Sequence, residues 1–177
     1  MNHFIITLLG LFFTVNVIAQ ESESLIVSRI DSITYDIDNN SDNLGLHEDG
    51  ELSKKRFLFF KKKIGGYFSN VVYKDTLVLS IENEYYYKKN GRTENEIFYF
   101  SENKLIKYSE ETYTDKNLNH KVEIYYKDHK LIKVNKDIHD SFKLDAEKKE
   151  SIIEKSKNEI SRRQMTAIEW KRIFGKK

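Results

Sequence analysis

Phe98-Tyr99-Phe100-Ser101-Glu102-Asn103-Lys104-Leu105-Ile106-Lys107 is matched further along by Ile124-Tyr125-Tyr126-Lys127-Asp128-His129-Lys130-Leu131-Ile132-Lys133. Each copy reads as an aromatic strand, a polar turn, and a Lys-Leu-Ile-Lys opening of the return strand. The stretch from Thr76 to Ile138 is therefore a run of β-hairpins. Leu77, Leu79 and Ile81 alternate with Val78, Ser80 and Glu82, the period of a half-buried strand. Asn90-Gly91 is the strongest turn signal, because both residues tolerate the positive φ of a type I′ hairpin. Val122, Ile124 and Tyr126 share one strand face, and Ile132 and Val134 share another.

On either side of this meander the periodicity changes. Ile26, Ile30, Ile33 and Ile37 recur at steps of four, three and four, which predicts a helix over about 20–38. Ser22 or Ser24 is positioned to cap it. A strand over Ser32–Asp38 is the alternative reading, since β-branched residues are frequent there. Residues 39–53 read as an acidic loop punctuated by Gly45 and Asp49-Gly50. After Ile138, Asp140 or Ser141 is placed to cap a long charged helix over 140–174. Its thin stripe is Ile153, Ile160, Ala167 and Phe174, with Ile152, Ile168 and Ile173 beside it.

The expected fold is α+β: an antiparallel β-meander of about six or seven strands, an N-terminal helix and a long charged C-terminal helix. Residues 20–177 form one domain, with the sheet over 54–138. One sheet face is expected under helices and the other exposing tyrosines.

Phe4–Ile18 is an apolar run ending Val17-Ile18-Ala19-Gln20, the pattern of a secretory signal peptide over 1–19 cleaved between Ala19 and Gln20. It falls short of the roughly 20 residues that span a bilayer. The expectation is an exported protein, periplasmic or secreted. The chain has no cysteine, so it carries no disulfide framework and no cysteine-based site. It has no proline either, so no strand is interrupted by one.

Charge is unevenly divided. Residues 20–51 hold nine acids against one Arg, net −8, while residues 52–177 hold 29 bases against 19 acids, net +10. The acidic segment is expected to lie on the basic body, or the body to meet an acidic partner or an anionic membrane.

Candidate chemistry is sparse. Asp36, Asp38, Asn40 and Asp42 alternate as in a calcium loop, but the sixth position is Ser41 and the twelfth His47, where such a loop needs Gly and Glu. Lys54-Lys55-Arg56 and Lys61-Lys62-Lys63 bracket Phe57-Leu58-Phe59-Phe60, which reads as a hydrophobic strand guarded by lysines, with Gly65-Gly66 a turn or bulge after it. His120 and His139 fall at one end of a hairpin near Asp137 and Asp140, a possible zinc pair lacking an established third ligand. The sequence contains no nucleophile elbow and no glycine-rich phosphate loop.

The function expected is a non-catalytic binding module of the cell envelope, with no cofactor and no metal. Its partner is a macromolecule of the envelope or extracellular space, not a nucleic acid. The candidate surface is a tyrosine platform of Tyr85, Tyr87, Tyr99 and Tyr125, or the basic end of the C-terminal helix, with Arg162, Arg163, Trp170, Lys171, Arg172 and Phe174. One alternative is a membrane-surface protein that uses this helix as an amphipathic foot. The other is a small metal-dependent enzyme at the His120/His139 end.

Overall fold

The computed structural model describes residues 21–40, 42–57, 60–138 and 144–174. The signal-peptide segment, His139 and the two expected caps Asp140 and Ser141 lie outside the described residues. Helix α1 (Glu23–Asn39) is followed by seven strands: β1 (Leu44–Phe57), β2 (Phe60–Lys74), β3 (Leu77–Tyr87), β4 (Arg92–Ser101), β5 (Lys104–Thr114), β6 (Asn117–Lys127) and β7 (Lys130–Ile138). Helix α2 (Ala146–Phe174) closes the chain. The strands form one antiparallel sheet in the order β1-β2-β3-β4-β5-β6-β7, so each strand pairs with its neighbour in sequence. No helix among the described residues is long and apolar enough to cross a membrane.

The turns explain the repeat. Glu102-Asn103, Asp115-Lys116 and Asp128-His129 each place both residues at positive φ, as a two-residue hairpin turn requires to match the strand twist. Past the turns before β5 and β7 the register slips by one residue, leaving Ile106 and Ile132 unpaired. These bulges tip both isoleucines toward α1, while Leu105 stays in the core on the α2 side. Lys-Leu-Ile-Lys is thus the signature of a bulged strand that feeds both faces. Asn90-Gly91 departs from expectation. Lys88 to Gly91 separate β3 from β4, Gly91 supplies the positive φ (59°), and Asn90 instead accepts from the Arg92 N–H at 3.3 Å.

Because β pairing is in register across the sheet, one row of side chains runs through all seven strands: Leu46, Val71, Ile81, Phe98, Tyr108, Ile124 and Val134. This row is the spine of the main core, which Ile152, Ile160 and Ala167 of α2 cover. Of the expected helix stripe, Ile153 is half-buried, while Ile168 and Ile173 are exposed. On the opposite face α1 packs Val27 and Ile30 on Tyr125, beside Ile26, Ile106 and Ile132. Ser22 caps α1, its hydroxyl accepting from the Leu25 N–H. The expectation of helices on one face and tyrosines on the other is therefore corrected: each face carries one helix.

A second correction concerns residues 39–53. Strand β1 begins at Leu44, so most of the expected acidic loop is an edge strand. Its glycines mark close packing: a Cβ on Gly50 would stand 2.4 Å from the Tyr67 ring, and one on Gly65 of β2 would stand 1.8 Å from the Tyr86 carbonyl oxygen. Gly65-Gly66 follows a bulge, since Leu52 pairs with Gly65 and Ser53 with Lys63, leaving Ile64 unpaired.

β1 and β2 also outrun the sheet. Pairing of β2 with β3 ends at Gly65 with Tyr87, but β1 and β2 continue through Ser53–Lys63, Lys54–Lys62, Lys55–Lys61 and Phe57–Phe60. The backbones of Phe57 and Phe60 therefore pair at the end of a two-stranded arm and not within a guarded sheet strand. Leu58 and Phe59 lie outside the described residues.

Candidate functional site

Beside the apolar row lies a polar one on the same face: Glu48, Ser69, Asn83, Glu96, Glu110, Val122 and Lys136. Helix α2 runs along it, and its bases recur about every two turns. Lys148 Nζ donates to Glu110 Oε2 at 2.8 Å, Lys155 pairs with Glu96, and Arg163 donates to Glu48. Arg163 also donates to Ser69 Oγ (3.0 Å), Ser69 donates to Asn83 Oδ1 (2.8 Å), and the Tyr73 hydroxyl donates to the Arg163 carbonyl (3.2 Å).

The middle of this row is a connected network. The Tyr108 hydroxyl reaches Glu110 Oε2 at 2.6 Å and Glu96 Oε1 at 3.1 Å, and His120 Nε2 lies 3.1 Å from Glu110 Oε1. A cleft of about 550 Å³ opens beside it, lined by Glu96, Phe98, Lys148, Ile152, Lys155 and Glu159 among others. Burial pushes the Tyr108 hydroxyl far up, reinforced by the charges of Glu96 and Glu110, so it remains a donor. Burial also opposes ionisation of Glu110. Hydrogen bonds from Lys148, Tyr108 and His120 and the Lys148 charge outweigh it and hold the carboxyl below its usual range. Burial likewise opposes the charge on Lys155, and Glu96 reverses the balance upward. The Glu110 carboxylate is thus held ionised by partners from the protein itself. The arrangement clamps α2 to the sheet through three ion pairs.

The four platform tyrosines do not share a face. Tyr85 and Tyr87 lie in register with Glu94 and Arg92 on the α2 side, where the Tyr87 hydroxyl donates to Glu94 at 3.3 Å and Lys155 stands over the Tyr85 ring. Tyr99 and Tyr125 are buried on the other side beneath α1, donating to Asp38 and Asp31 at 3.0 Å each. The tyrosine platform is therefore overturned: the four-residue turn 88–91 pairs odd-numbered positions of β3 with even-numbered ones of β4 throughout an unbulged ladder, so Tyr99 falls on the face opposite Tyr85 and Tyr87. Lys107 completes the α1 attachment with ion pairs to Asp31 (3.0 Å) and Glu123 (3.1 Å).

The cations of α2 divide in two. Arg163 is buried in the clamp, so it leaves the candidate surface. Arg162 is exposed and paired with Glu159, and Lys171 and Arg172 are exposed in the last turns. Among them Met165, Ile168, Trp170 and Ile173 remain 64%, 54%, 47% and 61% exposed. The Phe174 side chain lies outside the described residues. His120 is buried against Glu110; among the described residues no group of three or more His, Asp or Glu side chains is placed to hold a metal.

Sequence reasoning missed the Glu48–Glu96–Glu110 row and the protruding arm. A signal for the first was present: Glu96 and Glu110 each stand two residues from an aromatic on the same strand face, Phe98 and Tyr108.

These features define the class: an α+β protein built on a single seven-stranded meander, helix-clamped on both faces, with an exposed apolar and basic helix end. Comparison with family models, with curated proteins and with solved structures returned no match to this chain.

Proposed function

We propose that this chain is an exported, non-catalytic interaction module of the cell envelope, which grips an acidic macromolecular partner with the last turns of α2. The observation that carries this reading is the exposure of Met165, Ile168, Trp170 and Ile173 among Arg162, Lys171 and Arg172. Large apolar side chains left in water beside exposed positive charge are the composition of an interface anchor, with Trp and Arg favoured. The partner is a protein and not a flat lipid surface, because the apolar groups surround the helix. Met165 and Trp170 are five residues apart, about 140° around the helix, and Ile168 and Ile173 are spaced likewise. A helix lying in a membrane interface needs them on one side.

The test is crosslinked capture from the native envelope, using the chain from Gln20 beside a version ending at Ala167. That endpoint keeps Arg163 and Ala167 in the clamp. A protein captured in stoichiometric amount by the longer chain and lost with the shorter supports the reading. The same captured set with both forms overturns it.

A further inference from the structure

We propose that, with the end of α2 acting as the anchor read above, the partner it grips is a second copy of this chain. That copy receives the helix end in an acidic trough on the α1 side of its sheet.

Helix α2 crosses the sheet toward one edge. Lys148 pairs with Glu110 of β5, Lys155 with Glu96 of β4, and Arg163 with Glu48 of β1, the edge strand. Ala167 is the last buried residue of the described helix, and from Ile168 to Phe174 the helix continues for about 10 Å. Trp170 and Ile173 are exposed there beside Lys171 and Arg172. Side chains exposed around a helix are best covered by a concave partner, because a flat one buries a single side.

The α1 side of the sheet offers such a concavity. Helix α1 runs across the strands, with Asp31 on Lys107 of β5 and Tyr125 of β6, and Asp38 on Tyr99 of β4. Tyr99, Lys107 and Tyr125 form one cross-strand row. Four residues further along the strands, about 13 Å away, runs a parallel row of Asp49, Phe68, Glu84, Asn95, Glu111 and Lys121. Packed helices lie about 8–10 Å apart, so this floor has room for a second helix beside α1. Asp31, Tyr35 and Asp38 recur at steps of four and three and share one flank of α1. That flank faces the floor, since Lys107 joins Asp31 to Glu123 in the row between. Tyr35, 67% exposed, therefore forms the wall.

The trough and the helix end are complementary. On the floor Phe68 stands between Asp49 and Glu84 in its row, and all three are exposed. Lys121 is paired with Glu111, so Asp49 and Glu84 remain as acidic excess. Trp170 is followed by two bases, and in the trough it meets aromatic surface and opposite charge together. Every copy carries both surfaces, so two copies that exchange helix ends satisfy both.

The experiment is analytical ultracentrifugation of the chain from Gln20, which contains every element described, over a range of concentrations. The parent is expected to exceed the monomer mass as concentration rises and to return toward it in high salt. D49K/E84K inverts the trough and K171E/R172E inverts the helix end. Each is expected to weaken self-association by about 10-fold or more. Mixed in equal amounts, the two variants are expected to associate again, because each trough then meets a helix end of opposite charge on the other variant. Misfolding or a merely structural role of these residues does not produce that rescue. A parent that stays monomeric overturns the proposal, as does a mixture that stays monomeric or a single variant that associates as the parent does. Self-association that persists in the version ending at Ala167 overturns it too. If the parent stays monomeric while its helix end still captures another protein from the envelope, the reading of the helix end stands and the second copy falls as its partner.

Discussion

Arg163 of α2 donates to Glu48 of β1, a residue 115 positions earlier in the chain, and through its other nitrogen to Ser69 of β2. One guanidinium thus ties the last element of the fold to its edge strand and to the strand beside it. The hydrogen bond from Arg163 is the main reason the Glu48 carboxyl lies below its usual range, against the opposing effect of burial.

R163A is expected to destabilise the protein by about 3 kcal/mol, because it strands partners of a charged hydrogen bond inside the interface. E48A is expected to cost only about 1 kcal/mol, since the Glu48 side chain is 46% exposed and that of Arg163 is 11% exposed. Urea unfolding checks both through the midpoint at constant slope. Equal losses would mean that the pair does not act as described.

Acid is expected to weaken the clamp. Glu48 and Glu110 both have folded-state values below the unfolded reference of 4.5. A depressed carboxylate contributes stability that is fully present above the unfolded value and is lost as pH falls through the folded one. The melting temperature should therefore hold from neutral pH to about 5 and decline below about 4.5. E110Q should be less stable at neutral pH and should show a shallower acid decline, read from melts across that range. Asp38 has the opposite sign, since burial raises it despite the Tyr99 hydrogen bond, so its protonation on acidification favours the folded state.

Gly65 and Gly66 are adjacent yet should respond differently. G65A drives a methyl group into the Tyr86 carbonyl, 1.8 Å from its oxygen, and backbone must move. A loss of about 3 kcal/mol is expected, the upper range for overpacking. G66A meets only the Gly50 carbonyl oxygen at 3.4 Å and should change stability by less than about 0.5 kcal/mol. Denaturant unfolding of the two variants separates them.

Asp31 holds α1 to the sheet, accepting from both Lys107 Nζ and the Tyr125 hydroxyl at 3.0 Å. Loss of these bonds should let α1 open without unfolding the meander. In D31A, amide exchange over 23–39 is expected to rise by about tenfold or more while β4 and β5 keep their protection. D36A, at an exposed position of the same helix, should leave exchange unchanged. A uniform rise across the sheet in D31A would show that α1 is not a separable unit.

The architecture was legible where local chemistry is periodic. Lys104-Leu105-Ile106-Lys107 and its copy announced the hairpins, and the stripe Ile26-Ile30-Ile33-Ile37 announced α1, although burial centres on Val27, Ile30, Thr34 and Ile37, slightly around the helix. Strand β1 was not legible. An edge strand is held chiefly by backbone pairing with its one neighbour, so Asp49-Gly50 carries the composition of a turn inside a strand. The candidate sites were legible only in part. The exposed helix end that carries Arg162, Trp170, Lys171 and Arg172 was legible because charge and aromaticity are visible in order along the chain. The tyrosines misled because the register across the β3–β4 turn, which pairs odd with even positions, decides which face Tyr99 shows relative to Tyr85 and Tyr87, and register leaves little trace in composition.

By itself, the sequence determined the two helices and the hairpins of the meander from β3 onward, because strand and helix periods are set within a few residues by sterics and burial. It also determined the charge separation between residues 20–51 and the rest. Only the tertiary structure decided that the two helices take opposite faces, that Glu48, Glu96 and Glu110 form one row beneath Lys148, Lys155 and Arg163, and that the β1–β2 arm outruns the sheet. Those outcomes depend on register between strands far apart in sequence. A shift of one residue in register reverses the face of every side chain that follows.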